Sequence, residues 1–251
     1  MIPGVDASHM ALKPEILRPT GAGNLVLVCD HASNRVPAEY GDLGLAKPYW
    51  QEHIAWDIGA AGITRALSGA LDAPAVLAAV SRLLIDTNRA LDAPSLILAR
   101  SDGTDIPGNR NLKARERRRR IHDFYQPFHA AVDVLVKTRL ARRPYLVGIH
   151  TFTPVFGGKS RGLEFAVLWN EDDRLAKRLG TAFEAHGFKV GWNEPYSGKD
   201  FFETQNRHGR GNGLPHVTIE VRQDLVADEA GQAKFAALIA DALSEIRLKG
   251  F

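Results

Sequence analysis

Short apolar runs, rich in β-branched residues, alternate along the chain with longer segments of helical periodicity. The apolar runs predict strands at Leu25–Cys29, 75–80, 145–149, 163–168, 189–191 and 216–221. The periodic segments predict helices at 50–71, 112–140, 172–186 and 228–248. This alternation is typical of strand and crossover-helix units that pack into a mostly parallel sheet. We therefore predict an α/β fold.

Two segments, 90–111 and 192–214, interrupt the alternation because proline, glycine and other turn-forming residues cluster in them. Loops of about 20 residues are uncommon inside a compact domain unless they cover a functional site. We therefore expect both segments to form lids or substrate walls. The sequence contains no evident linker and no internal repeat, so we expect residues 1–251 to form one domain, with a loosely ordered N-terminal segment at 1–20.

The composition is that of an ordinary soluble globular protein, with 45% hydrophobic and 24% charged residues, which excludes a disordered or fibrous chain. The formal net charge of +3 is too small to attract a polyanion over long range. The arginine-rich stretch 115–120 has no interleaved aromatic residues. We interpret it as a solvated helix face and expect no nucleic-acid partner, although phosphate binding is an alternative interpretation.

The single cysteine, Cys29, lies in an apolar run, which excludes a disulfide-stapled scaffold and favours a cytoplasmic location. No apolar run approaches the length of a transmembrane helix, so we expect no membrane partner. The sequence carries no signal for an oligomeric state.

Polar side chains follow several predicted strands, at the sheet edge where α/β proteins bind ligands. Asp30 and His31 follow the first strand, His150 follows the third, and Glu220 lies near the end of the last. The second strand is followed by a further set of polar residues: Ser81, Arg82, Asp86, Asn88 and Arg89. This convergence on one edge predicts a functional site there.

His31 and His150 are suited to bind zinc or another divalent metal, which leaves a third ligand to be found. We favour Asp57, on the first long predicted helix, and the alternatives are Asp30, Asp86 and the amide oxygen of Asn34. His53 lies four residues before Asp57 on the same predicted helix face, where an ion pair with Asp57 or a contact behind the metal is the expected role.

Glu220 would be partly desolvated at a strand end, which raises a carboxyl pKa and suits a general base. The alternative is a salt bridge to Arg222 or to a neighbouring arginine. Arg82 and Arg89 are planar cations suited to bidentate binding of a substrate carboxylate, and the alternative is pairing with Asp86 or Asp92. A serine or cysteine nucleophile is disfavoured because no Gly-x-Ser-x-Gly motif is present and Ser33 lacks an evident base.

With these residues assembled, the chain resembles the N-formylglutamate amidohydrolase family. The matching stretches are Asp30-His31-Ala32-Ser33-Asn34-Arg35-Val36-Pro37, Ser81-Arg82-Leu83-Leu84-Ile85-Asp86-Thr87-Asn88-Arg89, Gly148-Ile149-His150-Thr151-Phe152, Asn193-Glu194-Pro195-Tyr196-Ser197-Gly198 and Ile219-Glu220-Val221-Arg222-Gln223-Asp224-Leu225. The family is similar to the wider zinc carboxypeptidase and aspartoacylase group. The resemblance implies a three-layer α/β/α, phosphorylase/hydrolase-like fold with a mixed, mostly parallel central sheet.

The resemblance also implies residue roles: His31 and His150 as zinc ligands, Asn88 and Arg89 as carboxylate binders, and Glu220 as the general base. Asn34 stands where the wider group has a glutamate ligand, so the third ligand stays open. Tyr196 and His208, in the second long loop, are candidates for contacting substrate.

The implied reaction is zinc-assisted hydrolysis of N-formyl-L-glutamate to formate and L-glutamate, a step of histidine degradation. The expected partner is therefore a small acidic N-acyl amino acid. A hydrolase of a different N-acyl amino acid is the alternative, and a basic nucleic-acid-binding protein is a more remote one.

Overall fold

The computed structural model describes residues 12–199 and 202–249. In chain order its strands are β1 (Glu15–Leu17), β2 (Leu25–Cys29), β3 (Ala75–Leu77), β4 (Arg100–Ser101), β5 (Thr104–Asp105), β6 (Tyr145–Phe152), β7 (Val155–Phe156), β8 (Lys159–Ser160), β9 (Phe165–Leu168), β10 (Val190–Trp192) and β11 (His216–Arg222). The α-helices are α1 (Ala60–Ala70), α2 (Ala114–Arg120), α3 (Gln126–Lys137), α4 (Arg174–Ala185) and α5 (Glu229–Lys249).

Seven of the described strands form one sheet in the order β1-β3-β2-β6-β11-β9-β10. The four strands β3, β2, β6 and β11 are parallel to one another, so their carboxyl ends lie at the same edge. Strand β9 is antiparallel to β11 and parallel to β10, and β1 is antiparallel to β3. The predicted mixed, mostly parallel sheet is therefore confirmed.

Helices cover both faces of this sheet, as the three-layer prediction requires. On β2, Leu25, Leu27 and Cys29 pack into the core that includes α1, α4 and α5. The intervening Val26 and Val28 pack on the other face against side chains of α3. A strand buried on both faces reads as a continuous apolar run, which explains why the strands were visible in the sequence.

The first predicted helix, 50–71, is wrong in its first half, because α1 begins only at Ala60. Gly59 precedes the helix with a φ of 87°, in the left-handed region that interrupts a right-handed helix. A side chain there would also collide with the backbone oxygen of Val226, 2.4 Å from an ideal Cβ. Asp57 and His53 consequently lie in the segment before α1 rather than on one helix face.

Several other boundaries differ from the prediction. Strand β6 continues through His150 to Phe152, and β3 ends at Leu77. The predicted helix 112–140 consists of α2, a π-helical turn over Ile121–Tyr125, and α3. Pro127 in the first turn of α3 has no N–H to donate to the preceding turn, which accounts for the widened turn before it.

Both predicted loops contain regular structure. Segment 90–111 holds the hairpin β4–β5, and segment 192–214 holds a π-helical turn over Gln205–Gly209 followed by a 3-10 turn over Arg210–Asn212. Within the predicted N-terminal segment 1–20, residues 1–11 lie outside the described residues, and Glu15–Leu17 forms the edge strand β1. In the described part of the chain, no helix combines the length and apolarity needed to cross a membrane.

Candidate active site

Three buried side chains converge at the carboxyl edge of the parallel strands. His31 follows β2, His150 lies in β6, and Asp57 lies between them in the segment before α1. The Asp57 Oδ2 atom is 2.8 Å from His150 Nδ1 and 3.4 Å from His31 Nδ1. One potential ligand atom from each residue lies within 4.8 Å of the others. The sequence-predicted pair of histidines and the favoured third residue are thus brought together.

The opposite nitrogen of each imidazole meets a second carboxylate. His31 Nε2 is 2.7 Å from Asp86 Oδ1, and His150 Nε2 is 3.2 Å from Asp30 Oδ2. A carboxylate behind the imidazole orients a metal-ligating histidine and increases its basicity. The cluster therefore offers two imidazole nitrogens and one carboxylate oxygen, and each histidine has a supporting carboxylate. This donor set fits zinc.

The charge state of these groups without a metal supports that interpretation. Burial opposes protonation of His150, but its hydrogen bonds to Asp30 and Asp57 outweigh burial and raise its pKa well above the usual value. For Asp57, burial is outweighed by the charge of His31 and the hydrogen bond to His150, so its pKa is lowered. The carboxylates of the cluster therefore favour a positive charge next to them, which a divalent cation also provides.

The alternative third ligands lie elsewhere. Asp30 and Asp86 contact the far side of the histidines, and the Asp30 carboxylate also accepts a hydrogen bond from the Thr204 hydroxyl. The Asn34 amide donates to the backbone oxygen of Trp50, 2.7 Å away. His53 pairs with Asp102 at 3.1 Å, so the expected pairing of His53 with Asp57 is wrong.

Glu220 is placed beside the cluster by strand pairing. It lies opposite His150 in the parallel register of β11 and β6, and its side chain is buried, with Oε2 lacking a hydrogen-bond partner among the described residues. Burial raises the pKa of the Glu220 carboxyl to about 7. The alternative salt bridge to Arg222 is wrong, because Arg222 donates instead to Asp224 at 2.8 Å.

Arg82 and Arg89 both line the same cavity. Arg82 donates to Asp86 Oδ2 at 3.1 Å and to Asp57 Oδ1 at 3.4 Å, so the predicted pairing with Asp86 is present while a quarter of the side chain stays exposed. Arg89 Nε is 4.0 Å from Asp86 Oδ2. Asn88, which also lines the cavity, accepts a hydrogen bond from the Thr204 backbone N–H at 3.3 Å.

The cavity has a volume of about 240 Å³. Its polar floor contains His31, Asp57, His150 and Glu220. Its walls include residues from both segments that we expected to cover the site, and also from hairpin β7–β8: Leu98, Ser101, Asp102, Phe156, Tyr196 and Phe202. Both segments therefore contribute to the cavity surface, and Tyr196 is among the predicted residues that line it.

His208 is the predicted substrate contact that the structure does not bring to the cavity lining. Its Nε2 lies 3.0 Å from His129 Nδ1, and His129 Nε2 lies 2.9 Å from the Thr87 backbone oxygen. Burial lowers the pKa of His129 to about 3 and that of His208 to about 4, so both rings are neutral. A neutral imidazole donates from one nitrogen and accepts at the other. His129 Nε2 therefore donates to the Thr87 oxygen, and His208 Nε2 donates to His129 Nδ1. The pair forms a hydrogen-bonded chain that ends at Thr87, next to Asn88.

Sequence reasoning missed the roles of Asp30, Asp86 and His129. The two aspartates were recognised only as possible ligands, since a sequence does not show which imidazole nitrogen a carboxylate will meet. His129 lies on the apolar face of α3 with Phe128 and Val132 nearby in the sequence, and nothing in that pattern indicates a partner 79 residues away.

Comparison with known proteins adds to this geometry. Residues 23–227 match the profile of a family described as N-formylglutamate amidohydrolase. The crystal structure of a gene product from Agrobacterium tumefaciens is 37% identical with a TM-score of 0.89, over 94% of this chain and 96% of that chain. No curated protein matches the chain in sequence.

Two more distant structures share the fold. The crystal structure of N-formylglutamate amidohydrolase from Ralstonia eutropha is 19% identical with a TM-score of 0.75, over 95% of this chain and 100% of that chain. The structure of a bacteriophage poly-gamma-glutamate hydrolase is 10% identical with a TM-score of 0.50, over 95% of this chain and 92% of that chain. At these identities the likeness concerns the fold alone.

Proposed function

The chain belongs to the N-formylglutamate amidohydrolase family, and from this membership we propose that it is a metal-dependent hydrolase of N-acyl amino acids. Family membership supports an amide hydrolase that acts on acyl-amino-acid amides. N-formyl-L-glutamate is the specific substrate that we propose, with formate and L-glutamate as the products. Zinc, or another divalent metal, is the proposed cofactor.

One observation carries this proposal: Glu220 and the cluster of His31, Asp57 and His150 occupy the floor of one cavity. Glu220 is held next to His150 by the backbone pairing of adjacent strands. A buried carboxylate oxygen without a partner is costly unless it has a use, and a position beside a metal site is where a general base for water is needed.

The three ligands would hold the metal, whose Lewis acidity would polarise the acyl carbonyl and make water more acidic. Glu220 accepts the proton of the attacking water on its carboxylate. It then donates that proton to the amide nitrogen as the bond from this nitrogen to the acyl carbon breaks. Water is consumed, and the carboxylic acid and the free amine are released.

Arg82 and Arg89 supply positive charge at the cavity wall and are proposed to orient the substrate carboxylate. Asn88 adds an amide at the same wall. Leu98, Phe156 and Phe202 give the cavity an apolar surface that would contact the acyl group or the amino-acid side chain of the substrate. Comparing hydrolysis of formyl, acetyl and succinyl derivatives of several amino acids distinguishes the proposed substrate from its alternatives.

The nucleic-acid alternative finds little support in the contacts of the arginine-rich stretch. Arg120 is buried and donates to Asn109 Oδ1 at 2.7 Å and to the Leu84 oxygen at 3.0 Å. Arg117 donates to the Leu91 oxygen, and Arg119 to Glu39. Three of the five arginines in the stretch are therefore engaged within the protein, and we propose no nucleic-acid partner.

The test is elemental analysis of the purified protein, followed by a formate-release assay with and without chelator. We expect one equivalent of divalent metal and activity that chelation abolishes. Glu220→Gln should bind the metal and lose activity by about 10² to 10⁴-fold, whereas the exposed Glu229→Gln serves as a matched control with unchanged activity. Wild-type turnover in metal-loaded Glu220→Gln would contradict the assigned base.

A further inference from the structure

Arg161 has no role in the site described so far, yet it is held at the cavity rim from several sides. Its backbone N–H donates to the Pro154 oxygen at 2.7 Å, which closes the base of hairpin β7–β8. Its guanidinium carbon lies 4.8 Å from the ring centroid of Phe156 and 5.0 Å from that of Tyr196. Cation–π contacts of this kind fix a guanidinium on aromatic surface. Both aromatic side chains line the cavity.

The hydrogen bond between Arg161 and Tyr196 has only one possible direction. Arg161 Nη1 lies 3.0 Å from the Tyr196 hydroxyl. A guanidinium has donors and no acceptor, so the Tyr196 oxygen accepts. The hydroxyl proton of Tyr196 therefore points away from Arg161 and remains available to another acceptor.

The surroundings of Tyr196 indicate which acceptor that is. Its side chain lines the cavity with Arg82 and Arg89. Arg82 already uses N–H groups on Asp57 and Asp86. A carboxylate bound in this cavity would accept several hydrogen bonds, and the Tyr196 hydroxyl is an additional donor among the residues that line it.

We propose that Arg161 is a positioning residue that turns the Tyr196 hydroxyl into a hydrogen-bond donor toward the substrate carboxylate. This inference rests on the proposed function, since the carboxylate is that of the N-acyl amino acid. Arg161 acts through Tyr196 and does not itself touch the substrate. The pair thereby favours substrates with a carboxylate over neutral amides, because a hydrogen bond to an ionised acceptor is stronger than one to a neutral carbonyl.

A double-mutant cycle tests this relay. Arg161→Met keeps the packing on the rings and removes the donor, and Tyr196→Phe removes the hydroxyl. Each single variant should raise KM about tenfold and change kcat less than about twofold. Each should also raise the Kd of the amino-acid product about tenfold, measured by calorimetry on metal-loaded protein. The double variant should equal Tyr196→Phe alone, and Arg161→Lys should recover part of the affinity because an ammonium also donates.

The exposed Arg115→Met is the matched control, with unchanged KM and Kd. If Arg161→Met weakens product binding by the same factor in the Tyr196→Phe variant as in the wild type, Arg161 acts on the ligand directly and the relay is overturned.

A second measurement keeps this inference separate from the proposed function. The protein has five tyrosines, so Cζ-labelled tyrosine gives a simple carbon-13 spectrum in which Tyr196 is assigned by its loss in Tyr196→Phe. Arg161→Met should shift the Tyr196 resonance in metal-loaded protein without ligand. An unmoved resonance overturns the relay whether or not the enzyme hydrolyses any N-acyl amino acid. A shifted resonance in a protein that hydrolyses none overturns the proposed function and leaves the hydrogen bond standing.

Discussion

The paired histidines His129 and His208 predict a specific loss of stability in mild acid. Both rings are 2% exposed, and burial lowers their pKa values from 6.5 to about 3 and about 4. A histidine whose pKa is depressed by folding contributes stability that is present above its unfolded pKa of 6.5 and is lost as the pH falls below it. Below that pH the unfolded chain binds protons at these histidines, and the folded chain does not.

The size of the effect follows from the same pKa values. Between about pH 7.5 and pH 5.5 the unfolded histidine becomes protonated while the folded one stays neutral, which lowers the free energy of unfolding by about 1.4 kcal/mol per histidine. The pair therefore accounts for about 3 kcal/mol, a large part of the stability of an ordinary domain. His150, whose pKa is raised in the absence of metal, acts in the opposite direction, so the pair must be isolated by comparison.

The variant that isolates it carries His129→Gln and His208→Gln together, because glutamine donates and accepts hydrogen bonds without titrating. Urea unfolding in excess chelator, followed by tryptophan fluorescence, gives the free energy of unfolding at both pH values. We expect the wild type to lose about 3 kcal/mol more than the double variant over this range. Replacing His122, whose side chain is 81% accessible, with glutamine is the control for the substitution itself. Equal pH dependence in wild type and double variant would refute the reasoning.

Two further predictions concern the proposed metal site and the buried Arg120. Asp86→Asn removes the charge behind His31 and should weaken metal binding about 10 to 100-fold in a chelator competition assay; the exposed Asp92→Asn should not change it, and unchanged affinity in Asp86→Asn would exclude this support role. Arg120→Met leaves the Asn109 side-chain oxygen and the Leu84 carbonyl without their donor, and should lower the free energy of unfolding by about 3 kcal/mol. The exposed Arg115→Met should cost less than about 0.5 kcal/mol by the same urea measurement, and a cost as small at Arg120 would show that its buried hydrogen bonds contribute little.

The parts of the site that could be predicted from the sequence are those placed by parallel strands. Because β2, β6 and β11 run in the same direction, the polar residues at their ends, His31, His150 and Glu220, had to meet at one edge. Strand direction itself is not encoded in an apolar run, so the pattern does not predict the reversal of β9 and β10. The family resemblance implies that the sheet is mixed without saying which strands are reversed.

The residues that sequence reasoning misplaced depend on long-range contacts. The helical periodicity of 50–71 continues through Gly59, which has a left-handed backbone and lies against Val226 from a distant part of the chain, where a side chain would not fit. His208 was assigned to the substrate because it lies in a glycine-rich segment, whereas its partner is His129 on α3. Side-chain partners of this kind are decided by packing between elements, and neither periodicity nor turn chemistry reports them.

The pairing of β6 with β11 divides the enzyme into a part that resists change and a part that accepts it. The relative position of His150 and Glu220 is set by backbone hydrogen bonds near the middle of the sheet, so substitutions elsewhere do not readily alter it. The cavity walls, by contrast, include side chains from two short hairpins, β4–β5 and β7–β8, and β7–β8 turns at the exposed Gly157 and Gly158. Such hairpins tolerate insertion and replacement. Grafting wall segments from a relative onto this sheet is therefore a practical route to new acyl-amino-acid specificities without rebuilding the reaction centre.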